Sequence, residues 1–340
     1  MNPETDAARE LTLDLAIATG GVPILHSPAG QALGQVGPWL AARRNGIRRE
    51  LHKHGFLMIR GLPVRAAADV AIVRAALTES PAMNGERTAQ RTHFGADVYS
   101  ANDLPPGHRI GFHNENSYAL EFPAIIIFSC LEAPSSGGCT AVVDCRRVLA
   151  DVAAEFSDSL RSLGWRLTRH YHPHVGQAIK SAFESDDPSK IAEHCEANLI
   201  GHQWLSGGVL RTVQRRAAVV RHPTTNEETL FSHMSFWSRW SLPEEVRQVL
   251  VNSYGDDRLP FDTAFGDGTP ITKSEMDVLN QAYERHACRE PWRVGDVLIV
   301  DNLLAAHARD PFRGKRRVVV TMAELLQVGE CTPSVAAAAA

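Results

Sequence analysis

Two short segments of this 340-residue chain carry side chains whose types and spacing suit chemistry. In GFHNENSY (111–118), His113 and Glu115 lie two apart, so on an extended backbone both side chains project to the same side. A neutral imidazole nitrogen presented beside a carboxylate oxygen suits a divalent first-row metal. Alone, such a pair is commonplace, and an ordinary surface pair is the simpler explanation. Far downstream, in GDVLIVDNLLAAHARDPFRGKRRVVV (295–320), the buried-strand pattern VLIVD runs into a short loop that delivers His307, and a second strand begins near Arg317. A third ligand from a remote strand completes a two-histidine, one-carboxylate facial set, which leaves positions open for a cosubstrate and dioxygen.

The elements that must hold these residues read as mainly β with peripheral helices. Short β-branched runs bounded by Gly, Pro or Asp predict strands at FLMIR (56–60), PAIIIFSC (123–130), CTAVVD (139–144), AAVVR (217–221), VLIVD (297–301) and RVVVTMA (317–323). Helices are expected over 37–54, with Gly55 as the stop, and over 66–78. Two more helices should open on capping boxes at Ser241/Glu244 and Thr272/Glu275. Residues 79–111 are rich in Asn, Gly, Pro and Thr, which suggests a lid, as do the charges and Pro188 of 180–200. There is no internal repeat and no clear linker, so one domain is expected over 1–331, a β-sandwich or jelly-roll barrel. Residues 332–340, ending in the Ala336–Ala340 run, read as a disordered tail.

Composition narrows the class. Hydrophobic residues make up 44% and charged residues 22%, the balance of an ordinary globular enzyme. No apolar run approaches the roughly 18–20 residues of a membrane span, and MNPETDAARE lacks the pattern of a secretory signal. A net charge of −4 gives no basic footprint for nucleic acid. The six cysteines show no CxxC pair, which points to reduced thiols and a cytoplasmic protein.

The segments FHNENSYALEFPAIIIFSCLEAPSSGGCTAVVDCRRV (112–148) and DNLLAAHARDPFRGKRRV (301–318) resemble the TauD/TfdA family of iron(II) and 2-oxoglutarate-dependent oxygenases. Within it, they are similar to the branch of clavaminate synthase and the syringomycin-type amino-acid hydroxylases. The resemblance implies a double-stranded β-helix (jelly-roll) core, with iron(II) on His113, Glu115 and His307. It implies that an arginine after the second histidine holds the far carboxylate of 2-oxoglutarate. Arg317 is the best match and Arg316 the fallback, with Thr140 of GGCT assisting. Consecutive strand residues face opposite ways, so only one arginine can serve. The implied reaction consumes dioxygen and 2-oxoglutarate and hydroxylates, desaturates, epoxidises or cyclises at an unactivated carbon. Because Glu115 fills the position that related halogenases leave open, halogenation is disfavoured.

The implied substrate is an amino acid or amino-acid-derived metabolite of natural product biosynthesis, free or tethered to an acyl or peptidyl carrier protein. Departures from the branch fall at Asn116 (for methionine), at Cys139 (for glutamate) and in HPTTNEETLFSHMSFW (222–237). They bear on the substrate, for which His233, Arg221 and Asn116 are the candidates, with Arg215 and Glu121 behind them. Arg309 stands evenly between steadying the site and facing solvent, and Phe231, Phe236, Trp237 and Trp240 between walling the site and packing under the barrel. His170, His172 and His174 read as an exposed or partly packed strand edge, since no carboxylate or cysteine accompanies them. Arg43, Arg44, Arg48 and Arg49 read as the solvated side of a helix, with a carrier-docking surface as the alternative. A non-catalytic jelly-roll that binds a small acid or a metal is the competing function.

Overall fold

The computed structural model describes residues 12–82 and 92–340. Its largest sheet has seven strands, and four long neighbours form its middle: Phe56–Arg60, Val297–Asp301, Glu121–Glu132 and Arg317–Gln327. These strands are apolar almost without alternation because both faces of the sheet are covered. Leu57, Ile59, Ile125, Ile127, Val297, Ile299 and Val319 pack on one side. That side is closed by the helices Leu33–Ala41, Arg44–His54 and Ala67–Leu77, whose Val36, Leu40, Ile47, Leu51, Val70 and Val73 join the same cluster. Phe56, Met58, Ile126, Phe128, Leu298, Val300, Val318 and Val320 point the other way, toward Val142 and Ala305.

Val142 and Ala305 belong to a three-stranded antiparallel sheet ordered Ile110–His113, Ala305–Arg309, Thr140–Asp144. The long sheet and this short one form the two walls of the jelly-roll. A further sheet contains Gly201–Leu205, Val209–Arg216, Trp165–Tyr171 and Phe261–Phe265, in that order. Trp165, Leu167 and Phe265 of that sheet join Phe112, Ala141, Val143 and Ala306 in the largest core cluster.

Several local expectations need correction. The helix expected over 37–54 is two helices, broken at Ala42–Arg43, where Ala42 and Arg43 donate to Pro38 and Leu40 carbonyls and close the first helix. Gly55 does end the second, in the left-handed conformation at φ 80°; a Cβ there would also lie 3.1 Å from that of Ala305. Thr272 and Glu275 form the expected reciprocal cap, but Ser241 lies in the turn Arg239–Ser241, and the helix Glu244–Tyr254 starts after Pro243 without a side-chain cap. Of the three histidines of RHYHPH only His170 lies in a strand, Trp165–Tyr171, which is internal, with neighbours on both sides, rather than an edge; His172 and His174 follow its end, and His174 is exposed as expected. The segment expected as a disordered tail instead pairs Ala338–Ala339 with Gln214 and Arg215.

The arginine patch is a solvated face only at Arg49, which is exposed. Arg44 donates to Ala76 O at 2.8 Å, Arg48 to Leu77 O and Glu324, and Arg43 stacks on Trp39, so these three fasten neighbouring elements together.

Candidate active site

The three-stranded sheet positions most of the chemistry. In its register His307 is the cross-strand partner of His113, and Arg309 that of Thr140. Directly opposed residues place their Cβ atoms about 5 Å apart, so the two histidines are neighbours despite their separation in the chain. Their rings are 4.3 Å apart between centroids. Glu115 lies just past the end of the strand Ile110–His113, yet its Oε2 comes within 4.0 Å of His113 Nε2 and 3.7 Å of His307 Nε2. The ligand atoms of all three residues lie within 4.8 Å of one another, and all three residues are buried.

The donor set fits a divalent cation. His113 Nδ1 lies 2.8 Å from Gly111 O, so that nitrogen carries the proton and Nε2 keeps its lone pair. Metal-bound histidines are oriented by this kind of bond on the far ring nitrogen. With a carboxylate between the two imidazoles, the cluster is the two-histidine, one-carboxylate arrangement of non-haem iron sites.

The cluster opens on a cavity of about 380 Å³. Arg316 and Thr140 line it; Arg317 does not, being exposed at the start of its strand. The choice between the two arginines is therefore corrected in favour of Arg316. Its Nε donates to Gly138 O at 2.9 Å and its Nη2 to Thr140 Oγ1 at 3.3 Å. Among the described residues no carboxylate pairs with it, and burial together with the Arg309 guanidinium brings its pKa down to about 10. It remains a cation at neutral pH, held in a partly dry cavity, and a bound carboxylate would neutralise it in a bidentate geometry.

The other candidates divide. His233 is buried in the cavity wall, with its ring 4.7 Å from that of His113 and its Nδ1 2.9 Å from Ser117 Oγ. Phe236 and Trp237 also line the cavity. Phe231 instead packs on Phe122, and Trp240 donates to Ile271 O. Asn116 is buried outside the cavity lining, where its Oδ1 accepts from the Tyr118 hydroxyl and its backbone is left-handed at φ 54°. Asparagine tolerates that conformation better than most residues, so the position answers to backbone geometry. Arg221 pairs with Glu228 on the surface; it, Arg215 and Glu121 are absent from the lining. His170 and His172 are buried and bond to the Leu259 and Arg258 carbonyls.

His52, His222 and Asp301 form a second close cluster. Both ring nitrogens of His222 are engaged there, Nδ1 by the Thr224 and Thr225 amides and Nε2 by Asp301, which identifies a loop fastening.

The expected lid at 180–200 contributes no residue to the cavity lining; its Ile191, Cys195 and Ile200 pack on Tyr171 and Leu210. Of the lid expected at 79–111, residues 83–91 lie outside the described residues, but Ala101, Asn102, Asp103 and Leu104 do border the cavity. Arg309 holds this stretch. Its guanidinium donates to Asn102 Oδ1 and to the Leu104, Pro105 and His108 carbonyls, the last three at 3.0, 2.8 and 2.6 Å. Of the two expectations for Arg309, facing solvent is corrected, since the residue is buried; which segment it holds was hidden from the sequence because its acceptors are mostly backbone carbonyls, which any residue supplies. Asp103 was missed too, for want of a motif around it.

A jelly-roll whose short sheet brings two histidines and a glutamate together beside a half-buried arginine defines the class of iron(II) and 2-oxoglutarate-dependent oxygenases. The sequence model of the taurine catabolism dioxygenase TauD, TfdA family matches residues 23–322, and the chain belongs to that family. It is 31% identical to the dapdiamide synthesis protein DdaC of Enterobacter agglomerans over 272 residues, covering 80% of this chain and 83% of that one. It is 29% identical to a clavaminate synthase-like protein of Arabidopsis thaliana, covering 80% and 82%. Among solved structures, an asparagine oxygenase in complex with Fe(II), 2S,3S-3-hydroxyasparagine and succinate shares the fold at a TM-score of 0.51 and 17% identity, covering 88% of this chain and 93% of that one. The protein is a non-haem dioxygenase that uses iron(II), 2-oxoglutarate and dioxygen. Among the described residues, no helix is long and apolar enough to cross a membrane.

Proposed function

We propose that His113, Glu115 and His307 hold the iron(II), and that Arg316 with Thr140 receives the far carboxylate of 2-oxoglutarate. The substrate is an amino acid or an amino-acid-derived metabolite, free or tethered to a carrier protein. One observation carries this reading: the three-residue cluster and the unneutralised Arg316 cation open on the same cavity. When bound, the iron and 2-oxoglutarate supply the oxidising power to attack an unactivated C–H bond. The protein's own part is orientation and exclusion of water.

Phe128, Ile110, Phe236 and Trp237 form the apolar side of the cavity and suit a carbon chain. His233, Asn102 and Asp103 offer polar contacts, and the Asp103 carboxylate suits an ammonium group. The names of the relatives agree with this chemistry, since one belongs to dapdiamide synthesis and a structural neighbour oxygenates asparagine. The loop held by Arg309 shields the reacting face from solvent.

The test is incubation with iron(II), ascorbate and 2-oxoglutarate against two panels, free amino acids and aminoacyl carrier proteins. The expected result is substrate-stimulated succinate release, with a product that gains one oxygen atom or loses two hydrogens. If no member of either panel stimulates succinate release, the assignment of the substrate class fails.

A further inference from the structure

The reading that Glu115 is a metal ligand, on which this inference rests, leaves a structural question: what fixes its backbone? Glu115 lies in a turn beyond the last residue of the strand Ile110–His113, so the β-ladder no longer supplies its hydrogen bonds. Buried backbone amides and carbonyls must nevertheless be paired. The partner is a side chain. Asn302 Oδ1 accepts from Glu115 N at 2.7 Å, and Asn302 Nδ2 donates to Glu115 O at 2.9 Å and to Pro123 O at 2.8 Å. The side-chain amide thus acts as one further peptide unit of the missing strand.

Asn302 is fully buried, and its own position is fixed from several sides. Its backbone N–H donates to Ala124 O at 2.8 Å, and its carbonyl accepts from Asn114 Nδ2 at 2.8 Å. Asn114 Nδ2 also reaches Ala305 O, and Asn114 Oδ1 accepts from Ser232 N. Next to Asn302, Asp301 Oδ1 accepts from the Leu303 and Leu304 amides while its Oδ2 lies 3.2 Å from His222 Nε2. The segment that carries His307 is thereby tied to the turn that carries Glu115.

We infer that Asn302, supported by Asn114, is the positioning residue that sets Glu115 against His307 before any metal arrives. It touches neither metal nor substrate. Its role is preorganisation, which raises affinity by removing the cost of ordering the ligand turn on binding.

Asn302→Asp tests this at nearly constant volume. One carboxylate oxygen still accepts from Glu115 N, but the other replaces the donor and faces two carbonyl oxygens. Cobalt(II) or manganese(II) titration of the protein without substrate should show affinity reduced by about 10–100-fold, the usual loss when the group orienting a metal ligand is removed. Val73→Ala, a core change on the far side of the long sheet, is the control for lost stability and should bind the ion as the parent does. Hydrogen exchange of the unaltered protein supplies a readout that needs no variant. The segment 112–118 should be as well protected without metal as with it.

Parental affinity in Asn302→Asp, or protection of 112–118 that appears only on metal binding, would overturn the inference. Equal weakening in Val73→Ala would also overturn it. If the unaltered protein binds no ion at all, the proposed metal site is what fails, so the two failures are distinguishable.

Discussion

Two neighbouring arginines differ in one respect that an experiment can read. Arg316 reaches the cavity and Arg317 faces solvent, so Arg316→Gln and Arg317→Gln should separate cleanly in 2-oxoglutarate affinity. Arg316 already spends Nε on Gly138 O and one Nη2 contact on Thr140, leaving the rest of its fork for an incoming carboxylate. A hydrogen bond to a charged group contributes about 1.5–3 kcal/mol, and truncating one partner of a buried charge pair costs about 2–5 kcal/mol. The cavity is partly open to solvent, so a loss of about 2–4 kcal/mol is appropriate, which is roughly a 30- to 1000-fold rise in Kd. Arg316→Lys keeps the charge but loses the planar fork and should fall between. Arg317→Gln is a surface change and should stay within about twofold. The assay is calorimetric titration of 2-oxoglutarate into manganese-loaded protein, with thermal midpoints compared first. Loss of affinity in Arg317→Gln with none in Arg316→Gln would refute the assignment.

Three further outcomes follow from particular contacts. Arg309→Ala removes the clamp on Asn102, Leu104, Pro105 and His108; hydrogen exchange across 99–109 should accelerate, and 2-oxoglutarate consumption should exceed product formation. His170 has its pKa lowered from 6.5 chiefly by burial, so on acidification the unfolded chain takes up that proton first. Stability should therefore decline as pH falls below about 6.5, and His170→Gln should flatten that part of a thermal-unfolding profile. Thr272→Ala deletes a formed capping box and should lower stability by about 1 kcal/mol in denaturant titration.

The cluster of His113, Glu115 and His307 was legible from residue types and from the family resemblance of the two segments that carry it, not from strand patterns: no strand was expected over Ile110–His113, and His307, expected on a loop, lies in the strand Ala305–Arg309. The apolar runs 123–130, 139–144 and 297–301 do lie in strands as expected, but the pairing of His307 with His113 is visible only in the fold. The identity of the inward arginine was not legible. Side-chain parity is reset between His307 and the last long strand by the turn at Gly314, φ 80°, and by a register shift between Arg317 and Val318. A slip of one residue reverses which side chain faces in.

Arg221 failed for a related reason. It ends the short strand Val219–Arg221 facing solvent, where a charged residue needs no ligand to explain it. Asn302 carries a role that no spacing rule could reveal, since its partners are the backbone of a residue 187 positions away. The pairing of Ala338–Ala339 was equally hidden, because an alanine run gives no pattern to distinguish a strand from a tail.

The most direct test of the account is equilibrium binding of iron(II) under anaerobic conditions, with the unaltered protein beside His113→Ala, Glu115→Ala and His307→Ala. The unaltered protein should bind one ion per chain, and each variant should lose that binding while keeping its fold by circular dichroism. Undiminished binding in His307→Ala would contradict the central claim, because the metal would then sit somewhere other than where the two distant segments meet.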